Sequence, residues 1–548
     1  MNQKNDHLDN LQIIDYLKDL DQRISRIEMK LSIGSQFSKD SGLAVKDAGV
    51  RKEESDFHVG EYWFANLGII VLAIFFLFLI LKPYEGINQF LPTAFGYVAV
   101  FGLVALSMFW RESFGVMSQY LFGSGLLVLF ISTLRLFYFT PNPALENKIL
   151  EAALLLIISL GIVLLSLKRN SVYLNLLGLL LLCASSLFIG YSYAVFIILA
   201  IVSALSVYFY KTSKFVQIPY LLFGIFITYF THLLWALSNP FFSNQLIIVS
   251  EPKANLLFLI IYMVIYSFSL LNKNGETNEG LEVSISFINV IGCYILFFII
   301  NYFGFAESIF IYHVLFSVVA LFLANLYWVK SKSKYSTYIY SFTSFASLSI
   351  AFLAAIDSPT VFIPLIWQSV IVIAFGIYFH SKSIVASNFG IFFIIFLAYL
   401  LSADTYNYAS VSFGIIALIS ARLLNWQRDR LTLKTEFMRN IYLFIAFFSI
   451  PYMLIKSFPM EYIGISLIIL ASIYYFLSII LKTYKYRWMA HFTLLGTMVY
   501  VFAFALSELD ITFQIITLLA LSITLIAVSI FFTKMRINSN TNKSIEVE

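Results

Sequence analysis

Apolar runs of about 18–25 residues recur from Tyr62 almost to the C-terminus, and no other feature constrains the fold as tightly. A helix of that length matches a hydrocarbon core of roughly 30 Å. Composition agrees: 60% of residues are hydrophobic and 12% are charged, against roughly 45–50% and about 25% in soluble domains. A soluble chain of 548 residues would instead divide into several domains joined by polar linkers. The sequence therefore predicts an all-α, polytopic integral membrane bundle of about eighteen transmembrane helices, with the lipid bilayer as its surroundings. The expected spans are 62–82, 89–110, 113–139, 148–167, 171–188, 193–210, 217–237, 254–271, 282–302, 308–329, 336–355, 361–380, 384–402, 408–425, 437–457, 461–481, 487–506 and 511–533.

Charge tests this reading independently. With the N-terminus inside, the inner connections carry Arg111, Lys168, Arg169, Lys211, Lys214, Lys273, Lys330, Lys332, Lys334, Lys382, Arg422, Arg428, Arg430, Lys434, Arg439, Lys482, Lys485 and Arg487. The outer ones carry only Lys82, Lys148, Lys253 and Lys456. The positive-inside rule produces this bias, and one span too many or too few would scramble it. An even number of spans places both termini in the cytoplasm. The net charge of +5 comes from these short loops and is not a nucleic-acid footprint. The first 60 residues are polar, so no cleavable signal peptide is expected.

Ahead of the expected transmembrane domain (61–533), residues 1–34 read as a cytoplasmic amphipathic helix. Ile13, Leu17, Leu20, Ile24, Ile27 and Leu31 alternate spacings of four and three, an a/d heptad seam. Residues 8–31 would self-associate or dock a protein partner; the alternative is a helix lying on the protein or membrane surface. Residues 35–60 lack periodicity and read as a linker, and 534–548 as a basic, polar cytoplasmic tail. From about residue 308, units starting near 308, 361, 408 and 461 pair an inward span with a basic turn and an outward span with an acidic or Pro/Asn-containing one. Duplication of a helical hairpin explains this; so does the length that any two spans with short turns occupy.

Catalytic chemistry is not written in any motif. There is no Gly-rich phosphate loop, no HExxH and no CxxC, and none of the six histidines pairs at metal-ligand spacing. No metal and no cofactor is expected, and Cys183 and Cys293 read as small buried hydrophobes. Polar groups within spans are the better clue, because they are costly unless buried or wetted. Arg135 and Glu151 flank one outer connection and could pair, or each could snorkel separately. Thr337, Ser341 and Ser344 share a face of a hydroxyl-rich span, as expected of a closely packed helix or of a polar substrate path. Arg135, Glu151, His232, His313, Gln368 and Gln514 all fall in the outer part of their spans. A shared outer cavity with Arg135 as an anion anchor competes here with ordinary interfacial placement.

The stretch Trp63-Phe64-Ala65-Asn66-Leu67-Gly68-Ile69 resembles the opening of a bacterial membrane-protein family of unknown function, domain-of-unknown-function family 2339. Lys82-Pro83, Leu121-Phe122-Gly123-Ser124-Gly125 and Trp367-Gln368-Ser369 resemble further family features, with Gln368 where the family often has an acid. The resemblance implies an N-terminal coiled coil, many closely spaced spans and a place in the bacterial cytoplasmic membrane. It implies no activity. Three functions follow as expectations: transport or translocation of a small molecule or lipid-linked envelope intermediate; a scaffold recruiting a partner through its coiled coil; and, least supported, an envelope enzyme embedded in the membrane.

Overall fold

A computed structural model of the chain describes residues 65–82, 90–112, 115–138, 143–212, 218–237, 253–271, 279–401, 407–426, 435–505 and 510–545. The expected N-terminal helix and the 35–60 linker lie outside these. The described residues form eighteen α-helices and no strand. They are α1 (Ala65–Leu81), α2 (Phe90–Phe109), α3 (Gly115–Arg135), α4 (Lys148–Arg169), α5 (Val172–Ile189), α6 (Ser192–Lys211), α7 (Ile218–Ala236), α8 (Ala254–Ser267) and α9 (Glu279–Gly304). Then come α10 (Ile309–Leu326), α11 (Lys334–Ala355), α12 (Phe362–Tyr378), α13 (Lys382–Leu401), α14 (Asn407–Trp426), α15 (Glu436–Ser457), α16 (Met460–Ile480), α17 (Tyr484–Tyr500) and α18 (Ile511–Ile545). Each expected span has its own helix. Thirteen helices are long and apolar enough to cross a membrane, and four shorter apolar ones fall in α1, α7, α8 and α12. The fold is a polytopic helical membrane bundle. One boundary differs from expectation: α18 continues to Ile545, past the expected end at 533, because nothing from Thr533 to Lys543 is a Pro or Gly that would stop it.

Contacts divide the chain into two compact units, Met1–Glu146 and Asn147–Glu548. Within the first, small residues bring α2 and α3 together. A Cβ on Gly96 would sit 2.1 Å from Ser132 Oγ. Ser107 and Ser118 donate to each other's carbonyls at 2.8 and 2.7 Å. Apolar burial gives little drive between helices already in lipid, so close backbone approach and such hydrogen bonds carry the association.

Four helix–helix turns of the second unit are nearly identical. Among the described residues, Asn170, Lys332, His380 and Lys482 are the non-glycine residues with positive φ, at 50, 52, 49 and 48°. Each ends one helix and is followed at once by Ser171, Ser333, Ser381 or Thr483, which opens the next. At Ser381 the N–H reaches back to Gly376 O at 2.9 Å while His380 N–H bonds Ile377 O at 3.2 Å; Ser171 and Thr483 do likewise with Ser166 and Ser478. This is the Schellman closure, which satisfies the last carbonyls of the first helix. The hydroxyls of Ser171, Ser333 and Ser381 then accept from the first turn of the next helix, as N-caps do. Two of these turns, at Lys332 and His380, belong to the units starting near 308 and 361, and the Lys482 turn to the one near 461. Two apolar cores fill the unit, one running from Val163 to Ile384 and another from Ile366 to Leu521.

Candidate functional site

The six outer-half residues can be placed one by one. Arg135 is buried in the first unit and donates from Nη1 to the Lys82 carbonyl at the end of α1, 3.2 Å away. Glu151 belongs to the second unit. It is buried in the first turn of α4 behind the Asn147 N-cap, where the helix dipole favours a carboxylate. His232 bonds Asn255 and stacks on Phe196. His313 Nδ1 lies 2.9 Å from Ile309 O and 3.1 Å from Asn301 Nδ2. Gln368 donates from Nε2 to Phe345 O at 2.7 Å, and Gln514 is half-buried in the first turn of α18. His232, His313 and Gln368 share none of these partners. A cavity of about 60 Å³ beside Gln368, lined also by Ser349, Ser369 and Asn388, includes neither histidine. It has room for roughly two waters. Equal depth along a span does not by itself bring side chains to one azimuth of the bundle, and the partners of His232, His313 and Gln368 lie on three different helix pairs.

The hydroxyl face of α11 packs on α10. Ser344 donates to Ser317 O at 2.8 Å and Ser347 to His313 O at 2.9 Å. Thr337, Ser341 and Ser344 are all buried. The sequence reading missed a larger network beside it. Asn289 of α9 donates to Met263 O (3.0 Å), Tyr340 Oη (2.8 Å) and Ser267 Oγ (3.3 Å), and accepts from the Tyr229 hydroxyl at 2.8 Å. Tyr327 donates to Ser267 O at 2.7 Å. Every amide atom of Asn289 is used, so this network ties five elements together and presents nothing to a ligand.

A different arrangement lies where α14, α15 and α17 meet. Arg422 and Asn425 from the end of α14, Arg439 from the start of α15, and Lys482, Thr483 and Lys485 from the α16–α17 turn line a cavity of about 220 Å³. Arg439, only 17% exposed, bonds Asn425 through Nη1 and lies 3.7 Å from Glu436 through Nη2. Glu436 is also 3.7 Å from Lys485 Nζ, which donates to Asn440 Oδ1 at 2.5 Å. Arg439 Nε and Thr483 Oγ1 are buried without a hydrogen-bond partner among the described residues. Thr483 thus departs from its three counterparts, since its hydroxyl does not cap the helix it precedes. Lys485 lies just outside the apolar span. Burial and the neighbouring Arg439 lower its pKa below the ordinary lysine value, and Glu436 pulls it back up.

From this cationic end an apolar groove follows α15. A cleft of about 500 Å³ between α15 and α17 shares Leu443, Tyr484 and Lys485 with the cationic cavity and is walled by Phe444, Phe447, Phe448, Trp488 and Phe492. Trp488 and Phe492 stack at 5.8 Å, and Phe444 and Phe448 lie 4.6 Å apart. A second cleft of about 330 Å³ shares Phe444 and Phe448 and continues to Tyr399, Ser449 and Tyr452. Thirteen residues separate Arg439 from Tyr452, a rise of roughly 20 Å along a helix. Among the described residues no three His, Cys, Asp or Glu side chains are grouped to hold a metal. Comparison with protein-family models, curated proteins and solved structures finds no match to this chain.

Proposed function

We propose that the chain is a multi-pass protein of the bacterial cytoplasmic membrane that takes a lipid-like amphiphile into the α15 groove and moves it between leaflets. The observation that carries this reading is a row of three cavities along α15 that share wall residues: polar and cationic at one end, aromatic beyond, and together extending about two-thirds of the way across a roughly 30 Å core. A lipid-facing helix presents apolar side chains in any case; a groove with a charged terminus suits a molecule that is itself amphiphilic. The positive-inside rule supports a cytoplasmic cationic end, with both termini on the same side. The resemblance to domain-of-unknown-function family 2339 implies no activity, and the reading does not depend on it.

The test is reconstitution into liposomes with a headgroup-labelled fluorescent lipid and a membrane-impermeant quencher. Translocation appears as quenching beyond the outer-leaflet half, faster than in protein-free liposomes. Quenching that stops at half, with correctly folded protein present, sinks the proposal.

A further inference from the structure

The groove reading leaves the headgroup open, and the chemistry of the cationic end specifies it. We infer that this cavity holds the phosphate of an anionic glycerophospholipid, with the acyl chains lying in the aromatic cleft beside α15. The inference rests on the groove reading and names its ligand class.

Among the described residues Arg422, Arg439, Lys482 and Lys485 line this cavity, and Glu436 lies 3.7 Å from Arg439 and from Lys485. The positive-inside rule calls for basic residues at this end of the bundle. It does not call for them to line one cavity, or for the Nε of a largely buried arginine to lack a partner among the described residues. An unpaired donor on a buried guanidinium is costly, and a phosphate oxygen is the acceptor its planar fork suits best. Thr483 adds a second unused polar group on the same wall. Its failure to cap α17 also leaves the first-turn N–H groups of that helix beside the cavity, at the positive end of the helix dipole. Lys482 contributes to the same wall from a left-handed backbone conformation, φ 48°, which Gly or Asn would adopt at lower cost. Basic pockets between helices at a membrane surface bind anionic headgroups by this combination of charge and geometry. A soluble phosphate would satisfy the cations but leave the cleft between Phe444 and Trp488 without a role; a phospholipid occupies both.

The experiment uses the full chain in mild detergent. Equimolar phosphatidylglycerol and phosphatidylcholine are added, and retained lipid is read by native mass spectrometry. Phosphatidylglycerol is expected to be retained preferentially. Each cation removed should weaken its retention about fivefold, so Arg422→Gln with Lys482→Gln, both on exposed side chains, should lower it by roughly 25-fold. Arg439→Lys, which keeps charge but loses the fork, should show a smaller loss. Equal retention of the two lipids overturns the inference. So does indifference to the double substitution in protein with an unchanged helical spectrum, or displacement of the lipid by millimolar inorganic phosphate. Translocation measured on the same preparations separates the two claims. Selective retention without movement refutes the translocation reading alone; movement of both lipids at equal rates without selective retention refutes the headgroup inference alone.

Discussion

The Asn289 network should behave as packing, and its energetics can be worked from the structure. Asn289→Ala removes four hydrogen bonds at once, to Met263, Ser267, Tyr340 and Tyr229. Tyr340 and Ser267 keep each other at 2.7 Å, and Ser267 keeps Met263 O at 2.6 Å. The Tyr229 hydroxyl loses its acceptor. Interhelical hydrogen bonds in membranes average about 0.6 kcal/mol, and an orphaned buried donor costs about 1–3 kcal/mol. Together with the small void left behind, the substitution should destabilise the fold by about 2–4 kcal/mol. Tyr229→Phe removes the orphan, so the double variant should be no less stable than Asn289→Ala alone, with a coupling of about 1 kcal/mol or more. Reversible unfolding in mixed micelles measures all three variants. A cost below about 0.5 kcal/mol for Asn289→Ala, or strict additivity, would refute the reasoning.

Three further outcomes are expected. Gly376→Ala should destabilise by about 1–3 kcal/mol, since its Cβ would meet Val385 Cγ2 at 2.8 Å, whereas Gly390→Ala, with nothing within 4 Å, should be close to neutral in the same thermal melts. Against the low background of the buried Cys183 and Cys293, Ser358→Cys should react with an impermeant thiol reagent on intact cells, and Ser383→Cys only after permeabilisation; the reverse pattern would invert the topology. Leu20→Asp with Ile24→Asp should abolish cross-linking between chains through the N-terminal seam, and unchanged cross-linking would exclude self-association there.

The architecture was legible because length and hydropathy act along one dimension. Each apolar run became a helix, and the turns at Lys332, His380 and Lys482 fell at the ends of expected spans. The site was not legible for the complementary reason. Arg422 and Arg439 meet Lys482 and Lys485 only because α14, α15 and α17 pack together, and separately each residue is explained by membrane orientation. Depth along a span also carries no azimuth, and His232, His313 and Gln368 find their hydrogen-bond partners on three different helix pairs. Asn289 gave no signal because a single amide in an apolar run has no spacing to read. Thr483 became conspicuous only beside Ser171, Ser333 and Ser381, whose hydroxyls do cap.

The account stands on the α15 groove selecting its lipid and not merely touching the bilayer. A photo-reactive phenylalanine analogue at Phe444, in the groove, and at Ile157, on the lipid-exposed face of α4, tests that directly in native membranes. The groove position should yield lipid adducts enriched in anionic phospholipid over the bulk membrane, while Ile157 should report the bulk composition. Adducts of the same composition at both positions would reduce the groove to ordinary lipid-facing surface and contradict the account.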